Sequence, residues 1–231
     1  MQKSAAIVMP VYNGVTPLDF TGPYQFLVRV PNVRVLVASM EGASIEGDGL
    51  RFCGLATLES IEGCDVLCVP GGLGTAAALQ DDAFLDEIRR LGMGAMYLTS
   101  VCTGSLILAA AGLITDRRAA CHWAWRELLP AFGVIPDEAR VARDGNLLTG
   151  GGVTAGIDFV LALIAQLVGE DASQEVQLRL EYAPAPPFNA GRPETAPAHV
   201  LSAVNAMFAE TARERQEAVK LAAQRRGIRS G

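Results

Sequence analysis

The chain has 231 residues, half of them apolar and 19% charged, which excludes a disordered or collagen-like polymer and is enough to build one large domain. Its formal charge of −6 disfavours nucleic acid or an anionic membrane as the main partner, because phosphate binding needs a basic face. The charge is uneven: stretch 213–231 carries six basic and two acidic residues, a +4 tail on a −10 body, and is expected to be a solvated helix face.

Short β-branched runs alternate with helical patterns, the signature of a mostly parallel sheet covered by helices on both faces. A first strand is expected at 4–9. Thr16 and Pro17 suit the N-cap and first position of a helix whose apolar stripe is Phe20, Tyr24 and Leu27. A second strand follows at 33–38, then Gly-rich hairpin material at 42–60 and a buried strand at 65–69 ending in Pro70, Gly71 and Gly72. A helix carrying Phe84, Leu85, Ile88 and Leu91 leads to a strand at 95–101, and Cys102 to Ser105 pass directly into an apolar helix at 106–111. Two strands around the Asp144-Gly145 turn precede a glycine run and a helix at about 154–168. Helix is expected again at 175–182, a Pro-rich loop at 183–197 and a terminal helix at 198–226 with Val200, Val204, Met207 and Phe208 on its apolar stripe. No repeat or low-complexity linker divides the chain. The expected organisation is one α/β domain at 1–197, with 198–231 as a C-terminal helix packing on it.

The apolar run near the N-terminus is too short for a signal peptide, and other apolar runs break before about 18 residues, so a cytoplasmic protein without a membrane span is expected. Five cysteines lack C-x-x-C spacing and there are two histidines, so neither a disulfide framework nor a metal site is expected. Cys102 stands apart from the other cysteines. At a strand-to-helix turn its side chain projects at the carboxyl edge of the sheet, where helix dipole and unpaired N–H groups favour a thiolate. The Thr103 N–H, and the Gly71 and Gly72 amides, are candidate donors to a developing negative charge. Asp19, in the first turn of the first helix, reads either as an acid at that edge or as part of a capping box with Thr16. His122, between aromatics, reads as a packed residue and His199 as an exposed one.

The motifs YLTSVCTGS at 97–105, VPGG at 69–72 and LDFTGP at 18–23 together resemble the ThiJ/PfpI (class I glutamine amidotransferase-like) superfamily with its flavodoxin-like fold. LLTGGGVTAGIDF at 147–159 and EYAPAPPFNAG at 181–191 are most similar to the isocyanide hydratases within it. The resemblance implies a cofactor-free homodimer that adds water to R–N≡C, with Cys102 as nucleophile and Asp19 as its acidic partner. Thr103 stands where many relatives carry histidine, which argues against Cys–His amidase chemistry. Gly151, Val153 and Thr154 would shape the substrate pocket if their turn lies beside Cys102. Three other readings use the same motifs: an enzyme acting on carbonyl compounds, a ligand-sensing regulator, and a redox sensor built on an oxidisable Cys102.

Overall fold

The computed structural model describes residues 5–227; Ser4, expected to open the first strand, and Arg229 of the basic tail lie outside them. The chain runs through β1 (Ala5–Pro10), α1 (Pro17–Leu27), β2 (Val33–Ser39), the hairpin β3 (Ile45–Gly47) and β4 (Leu50–Phe52), and β5 (Ala56–Thr57). It continues through β6 (Val66–Val69), α2 (Thr75–Ala78), α3 (Asp82–Gly94), β7 (Tyr97–Val101), α4 (Gly104–Ala110), β8 (Arg118–Ala120) and β9 (Ile135–Asp137). The last elements are β10 (Val141–Asp144), β11 (Leu147–Gly150), α5 (Ala155–Val168), α6 (Glu170–Arg179) and α7 (Ala198–Arg225).

Seven strands form one sheet in the order β10-β11-β7-β6-β1-β2-β5, parallel except for β10. β6 is buried at every position because helices cover both faces of the sheet, which is why its sequence is a continuous apolar run rather than an alternating one. On one face α3, α4 and the C-terminal half of α7 enclose Leu85, Ile88, Ile107, Phe132, Val219 and Ala222. On the other, α1, α5 and α6 enclose Phe20, Phe26, Phe159, Leu163 and Val176. Asp81 starts α3 by accepting the Phe84 N–H at 3.0 Å. The fold is thus a single α/β layer structure of the expected flavodoxin-like kind.

Three expectations need correction. The helix placed at 175–182 begins at Glu170 and ends at Arg179; Gly169, at φ +103°, breaks the chain direction after α5, and the polar composition of α6 hides its start. β8 and β9, a separate parallel pair of three residues each, are too short to show periodicity. The basic tail is a solvated face only in part, with Arg213, Lys220 and Arg225 exposed. Arg225 donates to the Leu79 carbonyl at 2.8 Å, Arg226 to Asp86 at 2.9 Å, and Arg215 is buried. The apolar stripe of α7 is shifted accordingly: Val200 and Met207 are exposed, while Ala218, Val219, Ala222 and Ala223 enter the core. No described helix is long and apolar enough to cross a membrane.

Candidate active site

Cys102 occupies the single residue step between β7 and the turn into α4, at φ +57°, a left-handed conformation that costs a non-glycine residue roughly 1–2 kcal/mol. Two features hold it there. The Cys102 N–H donates to the Gly150 carbonyl at 3.0 Å, and Gly104 has no side chain where a Cβ would run into the Val69 carbonyl. Cys102 is 6% exposed at the carboxyl edge of the sheet.

Asp19 is fully buried in the first turn of α1. The capping-box alternative is excluded: Thr16 makes no side-chain cap, and Asp19 Oδ2 instead accepts the Gly71 N–H at 2.9 Å. Oδ1 has no hydrogen-bond partner among the described residues. The Cys102 thiol beside it favours the charged carboxylate, although no sulfur–oxygen hydrogen bond of good geometry closes to Oδ1. A buried acceptor left open in this way is the atom available to a ligand.

The turn that grips Asp19 is itself held by three buried hydroxyls. Gly72 N–H donates to Thr103 Oγ1 at 3.0 Å, Thr103 and Thr75 hydroxyls lie 2.7 Å apart, and Tyr12 Oη lies 3.1 Å from Thr75 Oγ1 and from the Pro70 carbonyl. The amides of Gly71 and Gly72, expected as free donors to substrate, are therefore occupied by Asp19 and Thr103. Gly71 is required for this approach, since a Cβ there would meet the Thr103 backbone N and hydroxyl. Thr103 contributes its hydroxyl to the turn and its N–H to the sulfur of Cys102. Tyr12 and Thr75 were not legible as site residues: each stands in an ordinary loop or helix start, and only the fold brings them to Thr103.

Burial dominates the electrostatics. It raises the Asp19 carboxyl to about 7, against the pull of the Gly71 N–H and the Cys102 thiol. It also pushes the Cys102 thiol well above the ordinary thiol range, reinforced by the charges of Asp19 and Cys121 and opposed by the Thr103 N–H and Arg215. Burial thus opposes the thiolate that the N-terminus of α4 favours. Cys64 and Cys68 are pushed up to about 12 and Cys121 to about 11, mainly by burial, and Cys53 is exposed.

β11 pairs with β7 so that Gly150 faces Val101, which sets the Gly151 turn beside Cys102. Gly151, Val153 and Thr154 line a cleft of about 510 Å³ with Cys121, His122, Trp123 and the Pro-rich segment from Gly191 to Thr195. Arg140 closes one wall by pairing with Asp158 and donating to the Thr154 carbonyl. His122 packs edge-on against Phe208 with ring centroids 5.5 Å apart, and burial followed by the charge of Arg215 lowers it to about 4, so it is neutral at physiological pH. His199 is exposed. Among the described residues, no group of three or more His, Cys, Asp or Glu side chains could hold a metal ion.

A parallel sheet with its cysteine on a strained strand-to-helix turn and a buried acid alongside is the arrangement of a known class: the chain matches the DJ-1/PfpI family over residues 4–166 and belongs to it. Within that class it is similar to the isonitrile hydratase of Pseudomonas putida, 47% identical across 93% of this chain and 95% of that protein. The crystal structure of a ThiJ/PfpI family protein from Pseudomonas syringae superposes with a TM-score of 0.89 at 40% identity, covering 95% of this chain and 90% of that one. The HTH-type transcriptional regulator CdhR of Pseudomonas aeruginosa is 33% identical over 61% of this chain, a match that takes in 40% of the regulator.

Proposed function

We propose that the chain is an isonitrile hydratase that converts R–N≡C to an N-substituted formamide through a covalent intermediate on Cys102. The observation that carries the mechanism is the burial of Asp19 and Cys102 together at the carboxyl edge of the sheet, with Asp19 Oδ1 left without a partner and burial raising the ionisation of both groups. Asp19, as carboxylate, takes the proton of the thiol. The thiolate attacks the terminal carbon, which is electrophilic, while the carboxyl returns the proton to the same carbon, which is also weakly basic. Sulfur and one hydrogen have then been added, giving the thioimidate R–N=CH–S–Cys102. Water adds to that carbon with the Asp19 carboxylate as base and the nitrogen as final proton acceptor. Collapse of the R–NH–CH(OH)–S adduct expels sulfur, releases R–NH–CHO and restores the starting protonation of the pair.

Asp19 Oδ1 is the oxygen available for both transfers, because Oδ2 is held by Gly71. Gly151, Val153 and Thr154 bound a cleft that neither Cys102 nor Asp19 lines; its Gly151 wall follows Gly150, which pairs with Val101 next to Cys102, and it is the space proposed for the R group. No metal or cofactor takes part in this scheme. The identity to the Pseudomonas putida enzyme over nearly the whole chain supports the same substrate class. A homodimer is part of the proposal, supported by exposed Phe188, Val200 and Met207 on the Pro-rich loop and the N-terminal half of α7. We place the protein in the cytoplasm with no nucleic-acid or membrane partner, in keeping with its net negative charge. The test is to incubate purified protein with an aromatic isocyanide and, in parallel, with a 2-oxoaldehyde. Formamide from the first and no turnover of the second is expected; the reverse pattern would transfer the site to carbonyl chemistry.

A further inference from the structure

The cleft beside the Gly151 turn has an aromatic wall, and the C-terminal helix sets it from outside the cleft. His122 and Trp123 line the cleft from the turn after β8, with ring centroids 5.6 Å apart and planes inclined by 30°. That turn holds its own shape: the Ala124 N–H donates to His122 Nδ1 at 3.3 Å, and the Trp125 and Arg126 N–H groups donate to the His122 carbonyl at 2.9 and 3.0 Å. Phe208 of α7 does not line the cleft. It packs edge-on against the turn instead, its ring centroid 5.5 Å from His122, 5.6 Å from Trp123 and 5.7 Å from Trp125. The interplanar angles are 81°, 69° and 67°. Edge-to-face contact fixes the orientation of a ring as well as its position, because the positive edge of one ring seeks the negative face of the next.

The charged side chains around the cleft are matched. Arg126 pairs with Glu138 at 2.8 Å and Arg140 with Asp158, while Arg192 and Glu194 bring opposite charges on the Pro-rich segment. His122 is neutral at physiological pH. Opposite the rings, Gly151 and Gly152 put no side chain into the gap; the nearest atom to a Cβ on Gly152 would be His122 Cδ2, at 3.9 Å. A flat, uncharged group fits such a space better than an ion or a puckered ring, since it can lie against an aromatic face without losing hydration of a charge. We propose that Phe208 is a specificity-determining residue, which by fixing His122 and Trp123 presents a flat wall that favours uncharged aryl isocyanides over saturated ones of the same ring size. The R group stacks on Trp123, and Phe208 acts through that ring as a positioning residue without touching substrate. The inference deepens the hydratase reading and rests on its placement of the R group in this cleft.

The test is equilibrium binding of the stable products N-phenylformamide and N-cyclohexylformamide to the full chain by calorimetry, with steady-state rates on the two parent isocyanides alongside. Phe208→Ala opens space behind the wall and should lower the preference for phenyl over cyclohexyl, read as the ratio of the two Kd values relative to wild type, by about fivefold, the share that one aromatic pair contributes. KM for phenyl isocyanide should rise by a similar factor, while kcat and the KM for cyclohexyl isocyanide stay within about twofold of wild type. Trp123→Leu should lower the binding ratio to the same degree, and Trp123→Phe, which keeps a flat face, should hold it within about twofold of wild type. A loss of stability alone would lower the melting temperature and leave the ratio unchanged. A folded Phe208→Ala protein with the wild-type ratio overturns the proposal; if that variant does not fold, Trp123→Leu decides, and a wild-type ratio there overturns it. Failure of wild type to bind N-phenylformamide at about millimolar concentration also overturns it. So does tighter binding of N-(4-carboxyphenyl)formamide than of N-phenylformamide that is abolished by about 0.5 M salt, since the cleft would then select an anion. Because binding is read without turnover, a chain that shows the expected shifts and hydrates no isocyanide contradicts the hydratase reading alone. One that hydrates both isocyanides with an unshifted ratio in the variants contradicts this proposal alone.

Discussion

A carboxyl that keeps its proton to about pH 7 in the folded chain and loses it near 3.8 when unfolded couples stability to pH at a single residue. Between those values the folded chain binds the extra proton, so the stability from this group falls as pH rises and levels off above about 7, a total on the order of 4 kcal/mol. Asp19→Asn removes the charge and keeps an oxygen for the Gly71 N–H. Urea unfolding at pH 8 should find that variant more stable than wild type by a few kcal/mol, with most of the gain gone at pH 4, while formamide production drops by at least about a hundredfold. The rate of wild-type turnover should rise through about pH 7 as the pair gives up its second proton, and a flat profile from pH 5.5 to 8.5 would contradict the assignment of Asp19 as the group that accepts the thiol proton. Cys102 was legible because a cysteine flanked by a buried strand and small residues has one obvious geometry. Asp19 was only half legible, since a carboxyl at that helix position serves equally well as a cap; what decides is the Gly71 turn, which sequence spacing does not place.

At the scale of elements, the site is a junction of three strand ends. β1 leads to Tyr12, β6 to Gly71 and Gly72, and β7 to Cys102 and Thr103, and the order of these strands in the sheet sets them side by side. Thr75, from the short α2, ties the junction together by donating to the Gly72 carbonyl at 2.8 Å and meeting the hydroxyls of Thr103 and Tyr12. Thr75→Val keeps the shape and removes one partner each from the Gly72 carbonyl and the Thr103 and Tyr12 hydroxyls, which should destabilise the protein by about 1–3 kcal/mol and reduce turnover by loosening the Gly71 N–H on Asp19. Thr75→Ser should restore both, as read by thermal melting and initial rates. The strands themselves could be read from their apolar runs. The four residues of α2 and the three-residue β8 and β9 could not, because so short a segment carries no period and is fixed only by what packs on it.

For the molecule as a whole, α7 joins the sheet's helical layer to the catalytic edge. Its last turns bury Ala218, Val219, Ala222 and Ala223 in the same core as Leu106 and Phe132, and Gln80 binds the Ala218 carbonyl at 2.9 Å. Ending the chain after Ala212 uncovers that face and removes Arg215 from Trp125, which should cost on the order of 3–5 kcal/mol and appear as a lower urea midpoint. The body of the fold was legible because strand and helix periods differ plainly in the first 168 residues. The tail misled because arginine is usually solvated, whereas here Arg215 is buried against an aromatic face, Arg226 reaches Asp86 on α3 and the exposed Arg225 reaches the Leu79 carbonyl after α2.

The central claim is that Cys102 adds covalently to an isocyanide. Wild-type protein and Cys102→Ala, both shown folded by circular dichroism and the former fully reduced, are to be compared with one aromatic isocyanide by the absorbance of the formamide. The account predicts steady turnover by wild type and a loss of at least about a thousandfold in Cys102→Ala. Turnover by Cys102→Ala within tenfold of wild type, or none by reduced wild type across several isocyanides, would contradict it.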